Sequence, residues 1–278
     1  MESRIAKAMA MESRPVALLW TDDKPPDAAE FKPGRWGCAV SLFAQAASRG
    51  RPAVFSRETY GCWGGGVGLG FGNRYEDFPG GVDGFCRFLS DGNAKWEGGA
   101  AMGSKLASSG GQRFAGDWLL GERYLKDAKT TLRFLDSMPM REVPAKYVLV
   151  KPLEATDPER EQVQSVTFFT DPDRLSALTV LANYTRPCEE NVAIPWAAGC
   201  QVMGIFAYRE AEKDHPRALV GLTDLSARKN VRPTLGEHVM TFTAPWSLFL
   251  EMEGNVENSF LQRETWHALG HTPSLGSR

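Results

Sequence analysis

No apolar stretch comes near the roughly 20 residues that a membrane-spanning helix requires; Val16 to Trp20 and Trp246 to Leu250 are among the longest. No excess of positive charge is present either. The 32 Lys plus Arg against 34 Asp plus Glu leave a formal net charge of -2, so no overall field gathers nucleic acid or an anionic bilayer. The first ten residues carry Glu2, Arg4 and Lys7 with no apolar core for export, and a cytoplasmic address is the expectation. Cysteine is sparse: Cys38, Cys62, Cys86, Cys188 and Cys200, with no Cys-x-x-Cys among them. That excludes zinc-ribbon and ferredoxin spacings, and an odd count in a chain of 278 residues argues for free thiols or metal ligands over disulfide staples.

Other signatures are missing as well. The run Gly64 to Gly72 contains no Gly-x-Gly-x-x-Gly, Gly103-Ser104-Lys105 stands where a P-loop needs Gly-Lys-Ser or Gly-Lys-Thr, and no nucleophile elbow occurs. Only four histidines are present. His267 and His271 have the one-turn spacing of a metal pair, yet Gly270 and Pro273 interrupt a helix there.

What is present alternates between strand and helix patterns. Pro15 to Trp20, Arg51 to Ser56, Tyr147 to Leu153, Val163 to Thr170, Ala218 to Thr223 and His238 to Thr243 read as strands. Helical spacing marks Trp36 to Ala47 (stopped by Gly50), Glu122 to Leu135, Asp173 to Tyr184 behind the cap Asp171-Pro172, Ala197 to Glu210, and a helix beginning at Pro245. Glycine gathers between Gly61 and Gly121, which reads as loop-rich. The expected class is α+β, with mixed sheets and packed helices. The expected division is an extension over 1–14, a glycine-rich lobe over 15–140 and a second lobe over 141–278, the two lobes free to join in one compact domain. Met-Glu-Ser-Arg occurs at Met1 and again at Met11, suggesting an alternative start and no function.

Gly37-Cys38-Ala39-Val40 and Gly199-Cys200-Gln201-Val202 each open a helix that leads into a strand. This predicts a diverged duplication, in which counting onward sets Cys62 opposite Ser226. A thiol in the first turn of a helix meets unpaired N–H groups and the positive end of the macrodipole, which favour thiolate, the form that binds soft metals and clusters. Cys38 and Cys200 are therefore candidate ligands, Cys62 is a third beside its glycines, Cys188 a fourth, and Cys86 a buried structural residue. Gly61, Gly64, Gly65 and Gly66 leave room for an inorganic group beside Cys62. Arg228, with Arg232, is a candidate cradle for an anion. Trp36, Trp63 and Trp196 lie within four residues of these cysteines and suit either the walls of a cofactor site or a core.

Three segments, Lys32-Pro33-Gly34-Arg35-Trp36-Gly37-Cys38, Glu58-Thr59-Tyr60-Gly61-Cys62-Trp63-Gly64-Gly65-Gly66 and Leu69-Gly70-Phe71, resemble the domain of unknown function 169 family, also called ArCR. Glu122 to Leu125, Tyr147 to Pro152 and Gly236 to Pro245 are similar to its pattern too. The resemblance implies a cytoplasmic protein of anaerobic bacteria and archaea, brings no established reaction, and places cysteine at the positions of Cys38 and Cys62. The expectation is an iron–sulfur cluster or another soft metal on Cys38, Cys62, Cys200 and Cys188, serving redox or metal chemistry with a small-molecule or redox partner. A metal-free site for an anionic ligand and a thiol-dependent enzyme are the alternatives. Oligomeric state is left open.

Overall fold

The computed structural model describes residues 1–108 and 112–270. Its contacts group into two units, Met1–Gly72 with Arg141–Arg278, and Asn73–Met140, whereas the sequence pattern drew one line near residue 140. The larger unit begins with α1 (Arg4–Ala8), β1 (Val16–Thr21), α2 (Ala39–Arg49), β2 (Ala53–Phe55) and α3 (Trp63–Leu69). The smaller unit holds α4 (Gly81–Leu89), α5 (Gly99–Ser108), α6 (Gln112–Leu120) and α7 (Ala128–Asp136). The larger unit resumes with β3 (Tyr147–Pro152), β4 (Gln162–Thr170), α8 (Pro172–Asn183), β5 (Val192–Ala193) and α9, a continuous helix over 199–211 with a π-helical turn at Val202–Phe206. It closes with β6 (Ala218–Gly221), α10 (Leu225–Leu235), β7 (Met240–Pro245), α11 (Trp246–Asn255) and α12 (Glu264–His267).

Seven strands form one mixed sheet in the order β2-β3-β1-β4-β7-β6-β5, and the fold is α+β. The order explains the hydrophobicity. Val16 to Leu19 are buried without alternation because β1 lies inside the sheet with helices on both faces. On one face α1, α8 and α11 close over Ala17, Leu19, Val166, Phe168 and Phe242, bringing Ile5, Leu178, Leu181, Phe249 and Met252 into a single core. On the other face lie α2, whose Phe43 meets Phe55 at 5.9 Å between ring centroids, and α9, whose Met203 carbonyl accepts from the Ser165 hydroxyl at 3.3 Å.

Removing the short edge strand β5 leaves an order that is the same from either end under the exchange of β1 with β4, β3 with β7 and β2 with β6. The β1–β4, β1–β3, β4–β7, β2–β3 and β6–β7 pairings are all antiparallel. The matching elements run β1, α2, β2, α3, β3 in the first repeat and β4, α9, β6, α10, β7 in the second, where α8 and β5 stand between β4 and α9. The helix of Cys38 corresponds to that of Cys200, and α3 corresponds to α10. The two halves of this order share one sheet, because their first strands pair at its centre. The unit Asn73–Met140 interrupts only the first repeat, leaving after Gly72 and returning at Arg141, where Phe71 and Glu142 make an antiparallel bridge.

Within that smaller unit Tyr75 stacks on Phe85 at 3.8 Å, and Phe78 meets Phe85, Phe88 and Phe114. The buried Asn93 amide donates to the Gly84 and Trp118 carbonyls. Two expectations are corrected here. The glycine-rich region is largely helical in α3, α4, α5 and α6, since close approaches in α4 and α5 leave no room for a Cβ at Gly84, Gly99 or Gly103. The helix expected from Glu122 starts only after Asp127, whose carboxylate accepts from the Thr130 N–H at 2.7 Å and caps it.

Candidate functional site

Four chain segments of the larger unit reach a helix start at the same place. Cys38 is the extended residue before α2, Cys62 the extended residue before α3, Cys200 lies in the first turn of α9, and Asp224 caps α10. Their convergence is visible at Gly199: a Cβ there would lie 3.2 Å from Leu222, 3.3 Å from Val40 and 3.5 Å from Ala227. The helices pack crosswise between repeats, α2 against α10 and α3 against α9. The repeat relation pairs Cys38 with Cys200 and Cys62 with Asp224. The caps of α3 and α10 set Cys62 opposite Asp224, two residues before the Ser226 reached by counting, whereas Cys200 lies two residues inside α9, whose cap is Ala198.

Each group is tied to main chain. Cys62 Sγ accepts from the Gly65 N–H at 3.3 Å, the Cys200 thiol donates to the Gly64 carbonyl at 3.2 Å, and the Cys38 carbonyl accepts from the Ser41 hydroxyl at 2.6 Å. Asp224 Oδ1 accepts from Ala227 N–H at 2.6 Å and Oδ2 from Gly199 N–H at 2.5 Å. Cys200 is buried, while Cys38 and Cys62 are partly so.

Glycine is required at particular points of this arrangement. At Gly61, held at φ +83°, a Cβ would sit 2.5 Å from the Gly37 carbonyl, and at Gly65 it would sit 2.7 Å from the Tyr60 carbonyl. Gly64 meets nothing within 4 Å. Gly66 is buried inside α3, its carbonyl accepting from Phe71.

Burial dominates the acidity of the thiols. It pushes Cys38 up to about 12, with the nearby Cys62 charge adding to it and the N–H groups of Val40 and Ser41 opposing it. Burial likewise raises Cys62, against the N–H groups of Gly65 and Ala39. Cys200 is raised furthest, first by burial and then by the charges of Cys62, Cys38 and Asp224. Burial also lifts Asp224 above the usual carboxylate range despite its two N–H partners. The helix-start effect expected to favour thiolate is therefore outweighed by desolvation.

A consequence is measurable in the reduced protein without ligand. The unfolded chain releases thiol protons near 9.0, whereas folded Cys38 holds its proton to about 12 and buried Cys86 to about 11. The folded state binds more protons between those limits, so this contribution is complete below pH 9 and is lost as pH rises through the folded values. Urea midpoints should fall steadily from pH 9 to 11; a flat profile would contradict this ordering.

The remaining candidates have other surroundings. Cys188 is exposed after α8, its sulfur accepting from Glu190 N–H at 3.4 Å; it is not among the charges acting on Cys38, Cys62 or Cys200. Arg228 directs its guanidinium to the carbonyls of Val239 at 3.0 Å and Glu237 at 2.8 Å, bracing the turn before β7. Cys86 is buried in α4. Trp36 is 63% exposed and Trp196 36%, so neither is core. His267 ends α12, and His271 lies outside the described residues. Asp224 was absent from the sequence-derived set, although Thr223-Asp224 at the end of an apolar strand is a cap signal.

Among the described residues, no group of three or more His, Cys, Asp or Glu side chains is arranged to hold a metal ion. The sulfurs of Cys62 and Cys200 are directed to separate main-chain partners, and the Cys38 side chain does not cap α2. No described helix is long and apolar enough to cross a membrane. No curated protein and no solved structure matches the chain. A family model matches residues 4–255, and with this coverage the chain belongs to the domain of unknown function 169 family, described as uncharacterised ArCR.

Proposed function

We propose that Cys38, Cys62 and Cys200 are the protein ligands of a soft inorganic group, an iron–sulfur cluster in preference to a lone ion, and that the protein acts in redox or metal chemistry. The observation that carries this reading is that both repeats deliver thiols to one set of converging helix starts. Cys62 raises the proton affinity of Cys38, and both raise that of Cys200; a cationic metal group is the partner that would offset both this repulsion and the desolvation. A cluster accommodates sulfurs set further apart than a single ion does. Cys62 and Cys200 would hold it from opposite repeats, Gly65 and Gly61 keep the backbone close, and the N–H of Gly65 lies where it stabilises thiolate. Such a group would supply one-electron chemistry.

The alternatives have less support. A nucleophilic thiol needs a lowered pKa, and these are raised. In the proposed anion cradle Arg228 spends donors on the Val239 and Glu237 carbonyls and Arg232 pairs with Glu237.

Protein purified without oxygen, or reconstituted with iron and sulfide, should show visible charge-transfer absorption with stoichiometric iron and sulfide. Cys38→Ser, Cys62→Ser and Cys200→Ser should each reduce bound iron by about ten-fold or more, as expected for loss of a thiolate ligand, while Cys188→Ser and Cys86→Ser retain it. A colourless, iron-free product after reconstitution would defeat the proposal.

A further inference from the structure

The repeat relation places one carboxylate where the first repeat has a thiol. Asp224 is 7% exposed, and its two oxygens are divided between two helices: Oδ1 takes the Ala227 N–H of its own α10 and Oδ2 the Gly199 N–H at the start of α9. The residue after Gly199 is Cys200. No thiol could make this bridge, since a single sulfur cannot present two oxygens in a fork. The preceding backbone is held under strain: Leu222, a non-glycine residue, has φ 62°, is 1% exposed and faces Gly199. Such a conformation persists only where its surroundings enforce it.

We propose that Asp224 is a positioning residue of the thiol site, clamping the start of α9 to the start of α10 so that Cys200 is presented beside Gly64 and the two first-repeat cysteines. This deepens the reading of Cys200 as a ligand and rests on it. Asp224 itself is not assigned as a ligand, because both of its oxygens are committed to N–H groups.

The clamp can be separated from ordinary helix capping by two substitutions. Serine is as good a cap as aspartate but is one atom too short, and has one oxygen too few, to hold both N–H groups. Alanine removes cap and clamp together. The experiment follows iodoacetamide labelling of Cys200 in the reduced protein without metal, resolved by peptide mass and referenced to Cys86, together with the unfolding temperature. Asp224→Ala should lower the unfolding temperature and accelerate Cys200 labelling. Asp224→Ser should recover the part of the unfolding temperature that helix capping supplies, leaving it between Asp224→Ala and the parent, yet still label Cys200 about ten-fold faster than the parent, the effect of losing one charge-assisted hydrogen bond. Parental labelling of Cys200 in Asp224→Ser would overturn the proposal and leave Asp224 as a cap alone. Acceleration of Cys200 and Cys86 in parallel would also overturn it, by showing general loosening. These readings use no bound metal, so a failure of the cluster assignment is recorded separately.

Discussion

Gly204→Ala is expected to destabilise the larger unit by about 3 kcal/mol or more, the upper range for overpacking a close contact, and to disrupt the thiol site. Gly204 lies in the π-helical turn of α9, where a Cβ would be driven into the Gly68 carbonyl of α3. From the other side, a Cβ on Gly68 would lie 2.8 Å from both the Cys200 carbonyl carbon and the Gln201 nitrogen. The obstacles are backbone atoms, so no side chain can rotate aside. The helices must separate instead, and α3 and α9 carry Cys62 and Cys200 at their starts. Gly68→Ala should act similarly, and the double substitution should cost less than the sum, since one separation relieves both clashes. Gly64→Ala is the control. With nothing within 4 Å, it should be neutral or stabilise by up to about 1 kcal/mol through helix propensity. Denaturant midpoints decide the matter: a Gly204→Ala protein as stable as its parent would mean the two helices do not approach this closely.

A chain starting at Met11 should lose about 5 kcal/mol or more, summed from burial of two large apolar side chains and from stranded polar groups. Ile5 and Met9 are both 0% exposed within the main core. Glu253, raised above the usual carboxylate range by burial, accepts from the Ser3 hydroxyl at 2.5 Å and from the Arg4 and Ile5 N–H groups at 2.7 and 3.3 Å. Removing α1 leaves that carboxylate buried without those donors. Arg174, equally enclosed, loses the Met9 and Ala10 carbonyls at 2.9 and 2.8 Å. The unfolding temperature should fall by about 10 °C or more, at roughly 2–4 °C per kcal/mol for a unit of this size. An unchanged transition in the truncated protein would refute the docking of α1. The repeated Met-Glu-Ser-Arg therefore has unequal surroundings: its first copy opens a docked helix, while its second leads into β1.

Much of the scaffold was legible because local signals agreed with the final environment. Gly50 in the left-handed conformation ends α2, Asp171 with Pro172 opens α8, and the apolar runs of β1, β3 and β4 are buried strands. The duplicated Gly-Cys-x-Val was also readable, since a cysteine near a helix start is a local pattern. Its extension failed at Ser226, because the repeats differ in loop length and counting residues cannot locate a cap. The glycine-rich helices were missed for a related reason. Propensity gives glycine a low helix preference, whereas Gly68, Gly84 and Gly99 lie in helices where a Cβ would meet backbone atoms.

The sequence by itself determined the α+β class, the family, six of the seven strands and the placement of Cys38 and Cys200 near helix starts, all of which depend on neighbours within a few residues. Tertiary structure alone decided which thiols meet. It separated Cys188 from the others, engaged Arg228 with carbonyls, and brought Asp224 to Gly199 across 25 residues of chain. It also reversed the expected acidity of the thiols, because a helix start favours thiolate locally while desolvation depends on everything packed around it.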